Sequence, residues 1–253
     1  MKTVSHRDSA FLAEMGIAPL WQLRQQPQAA PVEETAPVAE IAAEGAVQDP
    51  AEPDIAQMDW AALRAAIASC TRCGACRPGA KPVYGAGAES AVWLVAAGAT
   101  SVADEAANLP VAGDAGMLLD NMLAAAGHAR ARDVYVTNLV KCRPASANGG
   151  DRAATADEVA ACRPFLAREL ALTGAGVLLT LGQVAANAML DQPLQAPLAG
   201  ARGRVHSVDG AAMVATLHPG ELLRRGADKA LAWADLCRAM AAQPGDPGHD
   251  AAA

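Results

Sequence analysis

The sequence predicts an α/β fold with three layers, in which helices cover both faces of a mainly parallel, four-stranded central sheet. Short aliphatic runs alternate with helix-length segments, which is the order expected for a parallel sheet. The runs are mostly apolar on both faces, so each strand should be buried on both sides. The chain has 253 residues, of which 52% are hydrophobic but only 3% aromatic. This composition favours helices packed on aliphatic strands in a sizeable core.

The predicted elements follow in regular order after residue 60. The runs that predict strands span residues 92–96, 134–137, 177–181 and 213–217. Helices are predicted near residues 115–126, 156–172, 183–190 and 228–242. Residues 170–190 carry no charge, but they include three glycines together with Thr, Gln and Asn. We interpret them as a strand, a glycine turn and a helix, and not as a membrane span.

Charge and composition divide the chain into four parts. Residues 26–57 are rich in Pro, Ala and Glu without apolar periodicity, which predicts a disordered acidic linker. Eight acidic and no basic residues lie between residues 26 and 62, so the rest of the chain has 20 bases against 27 − 8 = 19 acids. The net charge of −7 therefore describes the linker and not the body. The other parts are a short apolar segment at residues 1–25, a folded domain at 58–243 and a disordered tail at 244–253.

The apolar segment ahead of the linker suggests a docking peptide. Its hydrophobic side chains within residues 9–24 are Phe11, Leu12, Met15, Ile17, Leu20, Trp21 and Leu23. Such a segment can dock on a protein partner or fold back on its own domain. The start of the chain is polar and charged, unlike a secretion signal. We expect a monomer in the cytoplasm with no membrane contact.

Four cysteines predict one metal site. Cys70 and Cys73 form a C-x-x-C motif, while Cys142 and Cys162 are each followed by Arg-Pro. Four thiolates suit zinc or an iron–sulfur centre, and the pattern alone leaves the metal open. Cys76 forms an overlapping C-x-x-C motif with Cys73 and is an alternative to Cys70. The sixth cysteine, at position 237, falls in a predicted helix and should be a core thiol.

Polar residues that follow the predicted strands indicate a pocket. The first strand ends in Ala97-Gly-Ala-Thr-Ser101, the second in Asn138, the third in Gly182 and the fourth in His218. In open parallel sheets, ligands bind beyond the carboxyl ends of the strands. Asn138 could read an amide edge there, and His218 could stabilise an anion. A histidine before proline can also be a structural turn residue, but its placement with Asn138 favours function.

Several ordered blocks resemble the family 4 uracil-DNA glycosylases, which form the iron–sulfur branch of that superfamily. The resemblance covers about residues 60–242. Its blocks are the Cys70–Cys73 motif followed by Val83-Tyr-Gly-Ala-Gly87, Pro110-Val-Ala-Gly-Asp-Ala-Gly-Met-Leu-Leu119, Val134-Tyr-Val-Thr-Asn-Leu-Val-Lys-Cys-Arg-Pro144, Ala160-Ala-Cys-Arg-Pro-Phe-Leu166, Thr180-Leu-Gly-Gln-Val-Ala-Ala186 and Thr216-Leu-His-Pro-Gly-Glu-Leu-Leu-Arg224. The resemblance implies hydrolysis of the N-glycosidic bond of uracil flipped out of DNA, as a step of base excision repair.

The resemblance also implies a role for individual residues. A structural [4Fe–4S] cluster would be held by Cys70, Cys73, Cys142 and Cys162. Asn138 would bind the uracil amide edge, and His218 would stabilise the departing uracil anion. Gly98, Ala99 and Val111 would line the substrate pocket. The DNA contacts would come from a wedge loop with Leu222 or Leu223 as its apolar tip and from Arg224 and Arg225 on phosphates.

Two positions depart from the family pattern. Gly98 stands where the family has a water-directing Glu, and Val111 stands where a Phe stacks on the flipped base. The acidic pair Asp104 and Glu105 matches the family, but its offset makes it a poor substitute for the missing Glu. The loop 145–155 has no histidine, which argues against the covalent DNA adduct that another superfamily branch forms.

These residues leave three candidate functions for the chain. The favoured one is an active uracil-DNA glycosylase with an altered water site. The second is a catalytically impaired iron–sulfur protein that binds or senses damaged DNA and recruits a partner. The third is an electron carrier, and the wide spacing of Cys142 and Cys162 argues against it.

Overall fold

A computed structural model describes residues 54–77 and 79–244. The predictions for the apolar segment 9–24, for most of the acidic linker and for the tail from residue 245 fall outside these residues. The linker was predicted to extend to residue 57, but Ile55–Gln57 form a 3-10 helix. Its N-cap is Asp54, whose side chain accepts from the backbone N–H of Ala56 at 3.0 Å. The folded domain thus begins slightly earlier than the sequence predicts.

The domain alternates strands and helices. Its helices are α1 (Trp60–Ala68), α2 (Val102–Ala107), α3 (Gly113–Ala125), α4 (Ala156–Thr173), α5 (Gln183–Met189), α6 (Pro219–Arg224) and α7 (Lys229–Ala241). Its strands are β1 (Ala86–Gly87), β2 (Trp93–Ala99), β3 (Val134–Val140), β4 (Val177–Leu181), β5 (Val205–Val208) and β6 (Ala211–Thr216). The four predicted strands and four predicted helices are confirmed within a few residues. Within residues 54–77 and 79–244, no helix is both long and apolar enough to cross a membrane.

The sheet has the order β1-β3-β2-β4-β6-β5. The four inner strands are mutually parallel, as predicted, and the edge strands β1 and β5 pair antiparallel. The sequence analysis missed both edge strands. Strand β1 has two residues, and β5 reads Val-His-Ser-Val with mostly exposed side chains. Neither has the continuous apolar run by which a buried strand is recognised.

Alternate residues of the inner strands face two separate apolar clusters, which confirms the three-layer architecture. On one face, Leu94 and Leu178 pack with side chains from α1, α4 and α5. On the other face, Trp93, Val95 and Leu179 pack with side chains from α3 and α7. Every residue of β3 and β4 is buried. The layers therefore hold the strand ends in fixed positions.

A buried ion pair joins β3 to α4. The Nζ atom of Lys141, which directly follows β3, donates to Oε2 of Glu169 at 2.6 Å and to Oγ1 of Thr137 at 2.6 Å. Both charged side chains are only 2% exposed. The hydroxyl of Tyr135 donates a longer hydrogen bond of 3.5 Å to Oε1 of Glu169. The pair fixes the chain immediately before Cys142.

We expect Lys141→Met to destabilise the cluster-loaded protein by about 3–5 kcal/mol, because Glu169 would remain as an uncompensated buried charge. Urea unfolding measures the change. The matched control is Lys141→Met combined with Glu169→Leu, which removes both charges and should recover most of the loss. A single variant within about 1 kcal/mol of the original protein would show that the pair has no such role.

Candidate active site and thiol cluster

The inner strands bring the predicted pocket residues to one end of the sheet, where the carboxyl ends of these strands lie. Because the strands are parallel and in register, Ala97 of β2 lies beside Asn138 of β3 and Leu181 of β4. Leu181 in turn lies beside Thr216 of β6. His218 follows Thr216 by two residues, at the start of α6. The parallel register agrees with the prediction that Asn138 and His218 lie at the same end of the sheet.

Asn138 is completely buried, and its amide has a defined orientation. Its Nδ2 donates to Oδ2 of Asp104 at 3.1 Å and to Oγ1 of Thr100 at 3.2 Å. The Thr100 hydroxyl lies within 3.0 Å of the carbonyls of Val140 and Lys141, so its proton is used there and its oxygen accepts from Asn138. A carboxylate can only accept. The amide nitrogen must therefore face Asp104 and Thr100.

The amide oxygen of Asn138 is consequently turned away from these partners. Among the described residues, Oδ1 of Asn138 is a buried acceptor without a hydrogen-bond partner. A buried acceptor left without a donor costs about 1–3 kcal/mol. A water or a ligand can supply the missing donor to such a group. The arrangement thus leaves one acceptor for an N–H or O–H group.

Asp104 organises this part of the site, a role that the sequence analysis missed. It is 4% exposed and lies in the first turn of α2. Its Oδ1 accepts from the backbone N–H of Ala112 at 2.7 Å, and its Oδ2 accepts from that of Ser101 at 3.0 Å and from Nδ2 of Asn138. The spacing of Ser101 and Asp104 is that of a capping box, and this signal was readable from the sequence. Because three N–H groups occupy the carboxylate, Asp104 positions Asn138 and cannot easily direct water.

His218 is the N-cap of α6 and presents a hydrogen-bond donor. Its Nδ1 accepts from the backbone N–H of Gly220 at 3.1 Å. In a neutral imidazole, an accepting Nδ1 requires the proton to be on Nε2. Burial lowers the pKa of His218, although the charges of Asp104 and Glu221 oppose this shift. The geometry therefore favours a neutral imidazole with its proton on Nε2.

Gly182 allows His218 to lie against the neighbouring strand end. Gly182 has a φ of +84°, and a Cβ at this position would lie 3.3 Å from Cβ of His218. A side chain here would be both strained and crowded. The glycine that ends β4 is thus explained by the close approach of the histidine.

The position of the missing glutamate is crowded. A Cβ on Gly98 would meet Cβ of Val184, in the first turn of α5, at 3.3 Å. Ala99 is half-buried beside it. Among residues 54–77 and 79–244, the nearest acidic residues in the sequence are Asp104 and Glu105, and Glu105 accepts from Nε of Arg143 at 2.8 Å. Neither carboxylate is therefore free to replace the family Glu.

Val111 has an unusual backbone conformation. Its φ is +49°, which is rare for a β-branched residue and marks local strain. The guanidinium of Arg130 donates to the carbonyls of Pro110 at 2.8 Å and Val111 at 3.0 Å and holds this turn. Gly116 is needed opposite, because a Cβ there would lie 2.3 Å from the Val111 oxygen. The Val111 side chain is 3% exposed and packs in an apolar cluster, and its contact with substrate remains a prediction.

Helix α6 separates the residues of the predicted wedge. Leu222 is 1% exposed, whereas Leu223 is 49% exposed. A side chain that packs in the core cannot enter DNA, so the DNA contact predicted for Leu222 is corrected to Leu223 alone. Arg224 and Arg225 are exposed, as expected for phosphate contacts. Nη1 of Arg225 lies 4.0 Å from Oε1 of Glu221, which is a weak surface pair.

Five cysteines lie between the end of α1, the end of β3 and the first half of α4. Cys70 and Cys73 are half-buried, and Cys76, Cys142 and Cys162 are buried. The Sγ atom of Cys76 lies 3.5 Å from that of Cys73 and 3.3 Å from that of Cys142. Within the described residues, no three potential ligands are already arranged around one point as a metal site. The donor set is nevertheless composed of soft thiols, which fits an iron–sulfur cluster or zinc.

The three buried thiols lie in surroundings that favour their protonated form. Burial raises the pKa of Cys76 and of Cys142, and it raises the pKa of Cys162 to about 11. Metal binding must therefore displace protons from these groups. Cys237 is exposed on α7, so the prediction that it is a core thiol is wrong. It lies on the outward side of the helix. A single cysteine in a helical segment does not show from the sequence which side of the helix it occupies.

Comparison with known proteins identifies the family. A family model described as the uracil DNA glycosylase superfamily matches residues 85–237. A type-4 uracil-DNA glycosylase of Archaeoglobus fulgidus is 32% identical over 165 residues, which are 63% of this chain and 80% of that protein. Those of Pyrobaculum aerophilum and Thermotoga maritima are 30% and 35% identical, over 53% and 46% of this chain and 66% and 57% of theirs.

The three-layer fold and the match over residues 85–237 define a protein of the uracil-DNA glycosylase superfamily. Within it, the chain belongs to the type-4 uracil-DNA glycosylases. The resemblance noted in the sequence motifs is confirmed.

Proposed function

We propose that this protein removes uracil from DNA by hydrolysing the N-glycosidic bond of deoxyuridine, as a step of base excision repair. The observation that carries the proposal is the buried, oriented and unpartnered Oδ1 of Asn138. A uracil flipped out of the stack would offer its N3–H to this oxygen. Family membership supports the assignment, and so does the neutral His218 at the same end of the sheet.

Recognition would depend on the fixed amide of Asn138. Asp104 and Thr100 hold its nitrogen, so rotation of the amide to exchange nitrogen and oxygen would place an acceptor against a carboxylate. Cytosine has an unprotonated N3 at the position of the uracil N3–H, and two acceptors would then face each other. Discrimination against a base that lacks the expected donor is strong when a buried group is left unpaired.

His218 would stabilise the leaving group. As the bond between C1′ and N1 breaks, its electron pair moves onto uracil, and negative charge spreads to the uracil oxygens. The Nε2–H of a neutral His218 can donate to such an oxygen without first losing its hydrogen bond from Gly220. Donors positioned in advance for a developing anion contribute about 3–4 kcal/mol to the barrier.

Water completes the reaction at the sugar. Its oxygen forms a bond to C1′ of the oxocarbenium-like sugar, one water proton passes to solvent, and the uracil anion is protonated after it leaves. Because Gly98 carries no carboxylate, the chain lacks the general base that would direct this water. General-base contributions are typically about 10²–10⁴-fold. We therefore propose a slow enzyme.

The cofactor proposed is a [4Fe–4S] cluster held by cysteine thiolates around Cys142. Such a cluster would cross-link the loop after α1, the end of β3 and α4. Glycosyl hydrolysis transfers no electrons, so its contribution would be structural. Cys70, Cys73, Cys142 and Cys162 remain the proposed ligand set, which the soft donor chemistry of this region supports.

The DNA contacts proposed lie on α6 and the residue after it. Leu223 is the exposed apolar side chain that could fill the space left by a flipped base. Arg224 and Arg225 are exposed and suited to phosphates, which adds a salt-dependent, sequence-independent term to affinity. The other parts of the proposal are a cytoplasmic monomer and a protein partner for residues 9–24. All six cysteines are free, which agrees with a reducing compartment.

The proposal is tested with a panel of oligonucleotides that differ at one base. Cluster-loaded protein is incubated with uracil, cytosine or thymine at the same position in single-stranded and duplex DNA, and abasic sites are counted. We expect cleavage for uracil and at least about 100-fold less for cytosine. Equal processing of cytosine and uracil would contradict the assigned role of the Asn138 amide.

A second function is favoured by Gly98, namely a protein that binds damaged DNA without excising the base. Uracil-dependent DNA binding with no abasic product would distinguish this function from that of a glycosylase. The crowding of Gly98 by Val184 shows that restoring the carboxylate requires space as well as charge.

We expect Gly98→Glu alone to have little effect, since its Cβ meets Val184 at 3.3 Å. Gly98→Glu combined with Val184→Gly, which removes the Cβ that crowds this position, should raise the single-turnover rate of uracil release by about tenfold to 100-fold, by supplying a general base. The matched control is Gly98→Gln with Val184→Gly, which has the same shape without the base. An equal gain in both double variants would assign the effect to space and not to base catalysis.

A further inference from the structure

The region around the end of β3 has one thiol more than a cluster of this type requires. A [4Fe–4S] cluster takes four cysteine thiolates. Five thiols surround the end of β3: Cys70, Cys73, Cys76, Cys142 and Cys162. Cys76, Cys142 and Cys162 belong to one buried cluster, and Cys70 and Cys73 pack against it. One member of the set must therefore be left without a metal bond at any time.

Cys76 has the most extensive thiol contacts of the five. Its Sγ touches those of Cys73 at 3.5 Å and Cys142 at 3.3 Å, and the residue is 9% exposed. Cys70, in contrast, is half-buried after α1, and its Sγ has no thiol within hydrogen-bond distance in the described part of the chain. Cys76 is therefore in direct contact with two of the proposed ligands.

The loop gives Cys70 and Cys76 equivalent relations to Cys73. Both pairs have the C-x-x-C spacing, one on each side of Cys73. The backbone N–H of Cys76 donates to the carbonyl of Cys73 at 3.1 Å, which closes a turn around the second pair. Gly74, which follows Cys73, is not crowded, since an added Cβ would meet Oε1 of Glu158 at the ordinary contact distance of 3.8 Å. The spacing thus offers either pair to a metal.

We propose that Cys76 is an alternative cluster ligand that takes the place of Cys70, so that the cluster has two interchangeable thiols in one coordination position. Cys73, Cys142 and Cys162 are the ligands common to both arrangements. The proposal rests on the proposed [4Fe–4S] cofactor and concerns a residue that is additional to the four-cysteine set. Its consequence is that loss of Cys70 alone does not release the cluster.

The test measures iron and acid-labile sulfide per chain in protein purified without oxygen. The variants are Cys70→Ser, Cys76→Ser, the two combined, and Cys73→Ser, with Cys237→Ser as a matched control on an exposed helix. We expect each of the first two single variants to keep about half or more of the original iron, because four thiols remain. The double variant and Cys73→Ser should lose nearly all of it. Loss of iron in Cys70→Ser to the level of the double variant would overturn the proposal.

A second measurement avoids variants that fail to fold. The original cluster-loaded protein is treated with iodoacetamide, and modification at each cysteine is mapped by mass spectrometry while iron is measured. Alkylation of Cys70 with the iron retained is the expected result, because Cys76 replaces it. Iron released in step with Cys70 alkylation would overturn the proposal. Absence of iron from the original protein would instead refute the cofactor, and uracil release measured in parallel reports on the enzyme independently.

Discussion

Asn138→Ala is expected to lower the single-turnover rate of uracil release by about 10²–10³-fold, which corresponds to roughly 3–4 kcal/mol of transition-state stabilisation. The variant removes the only oriented acceptor for the uracil N3–H that we identify at the strand edge. The measurement is free uracil produced from a uracil-containing oligonucleotide by excess enzyme. A rate within about threefold of the original protein would contradict the assignment of this amide.

The stability of Asn138→Ala separates a binding role from a structural one. In the free protein, Oδ1 of Asn138 is a buried acceptor with no partner among the described residues. Its removal should therefore compensate for the lost hydrogen bond to Asp104, and the free energy of unfolding should change by less than about 1 kcal/mol. Activity lost at nearly constant stability is the signature of a residue strained for function. A loss of several kcal/mol would show that the amide mainly holds the fold.

Asp104→Asn tests why the amide has a fixed orientation. An asparagine at position 104 can present either an acceptor or a donor to Asn138, so the Asn138 amide would no longer be held in one orientation. We expect a smaller loss than in Asn138→Ala, about tenfold, together with weaker discrimination against cytosine. The ratio of kcat/KM for the two bases measures this effect. An unchanged ratio would show that Asp104 supports α2 only.

His218→Ala should lower the rate of uracil release by about 10²–10³-fold, because it removes the donor to the departing uracil anion. The same variant also removes the side-chain cap of α6, which costs about 1 kcal/mol of stability. His218→Asn is the matched control, since asparagine is a good N-cap residue. We expect His218→Asn to recover the stability and not the rate. Recovery of both would assign His218 a capping role.

The pH dependence follows from the same geometry. The pKa of His218 is lowered, mainly by burial, so the folded protein binds its proton less readily than the unfolded chain. The neutral imidazole, and the hydrogen bond from Gly220 to Nδ1, therefore persist at neutral pH. We expect the rate to be constant near neutral pH and to fall as the pH decreases through the lowered pKa. Between the ordinary pKa of histidine and the lowered pKa of His218, the unfolded chain binds a proton that the folded protein does not. The free energy of unfolding therefore decreases as the pH falls through this interval.

The central architecture could be predicted because it depends on strong, regular signals. Strands β3 and β4 are entirely buried and mostly apolar, and such runs between helix-length segments have few other interpretations. The parallel order of the inner strands then follows, and it places the ends of β3 and β6, with Asn138 and His218, at the same end of the sheet. The edge strands were missed because pairing at a sheet edge depends on the neighbouring strand and needs no apolar run of its own.

The details of the site were harder to predict because they depend on three-dimensional contacts. The sequence analysis treated Asp104 only as a poor substitute for a lost Glu, whereas its three N–H partners come from separate segments. Leu222 and Leu223 are adjacent leucines, and only the packing of α6 distinguishes the buried from the exposed one. Cys237 was misassigned for the same reason. The contacts of Cys76 with Cys73 and Cys142 were likewise open, because two overlapping C-x-x-C motifs are equivalent as sequence.

The central claim is that the chain excises uracil although Gly98 replaces the water-directing Glu. It is tested most directly by mass spectrometric detection of free uracil from a single-stranded, uracil-containing oligonucleotide with excess cluster-loaded protein. Our account predicts slow release of one uracil per strand, which Asn138→Ala and His218→Ala both abolish or reduce about 100-fold or more. No uracil from the original protein, with tight binding to the same oligonucleotide, would contradict it and favour a protein that binds damage without excising it.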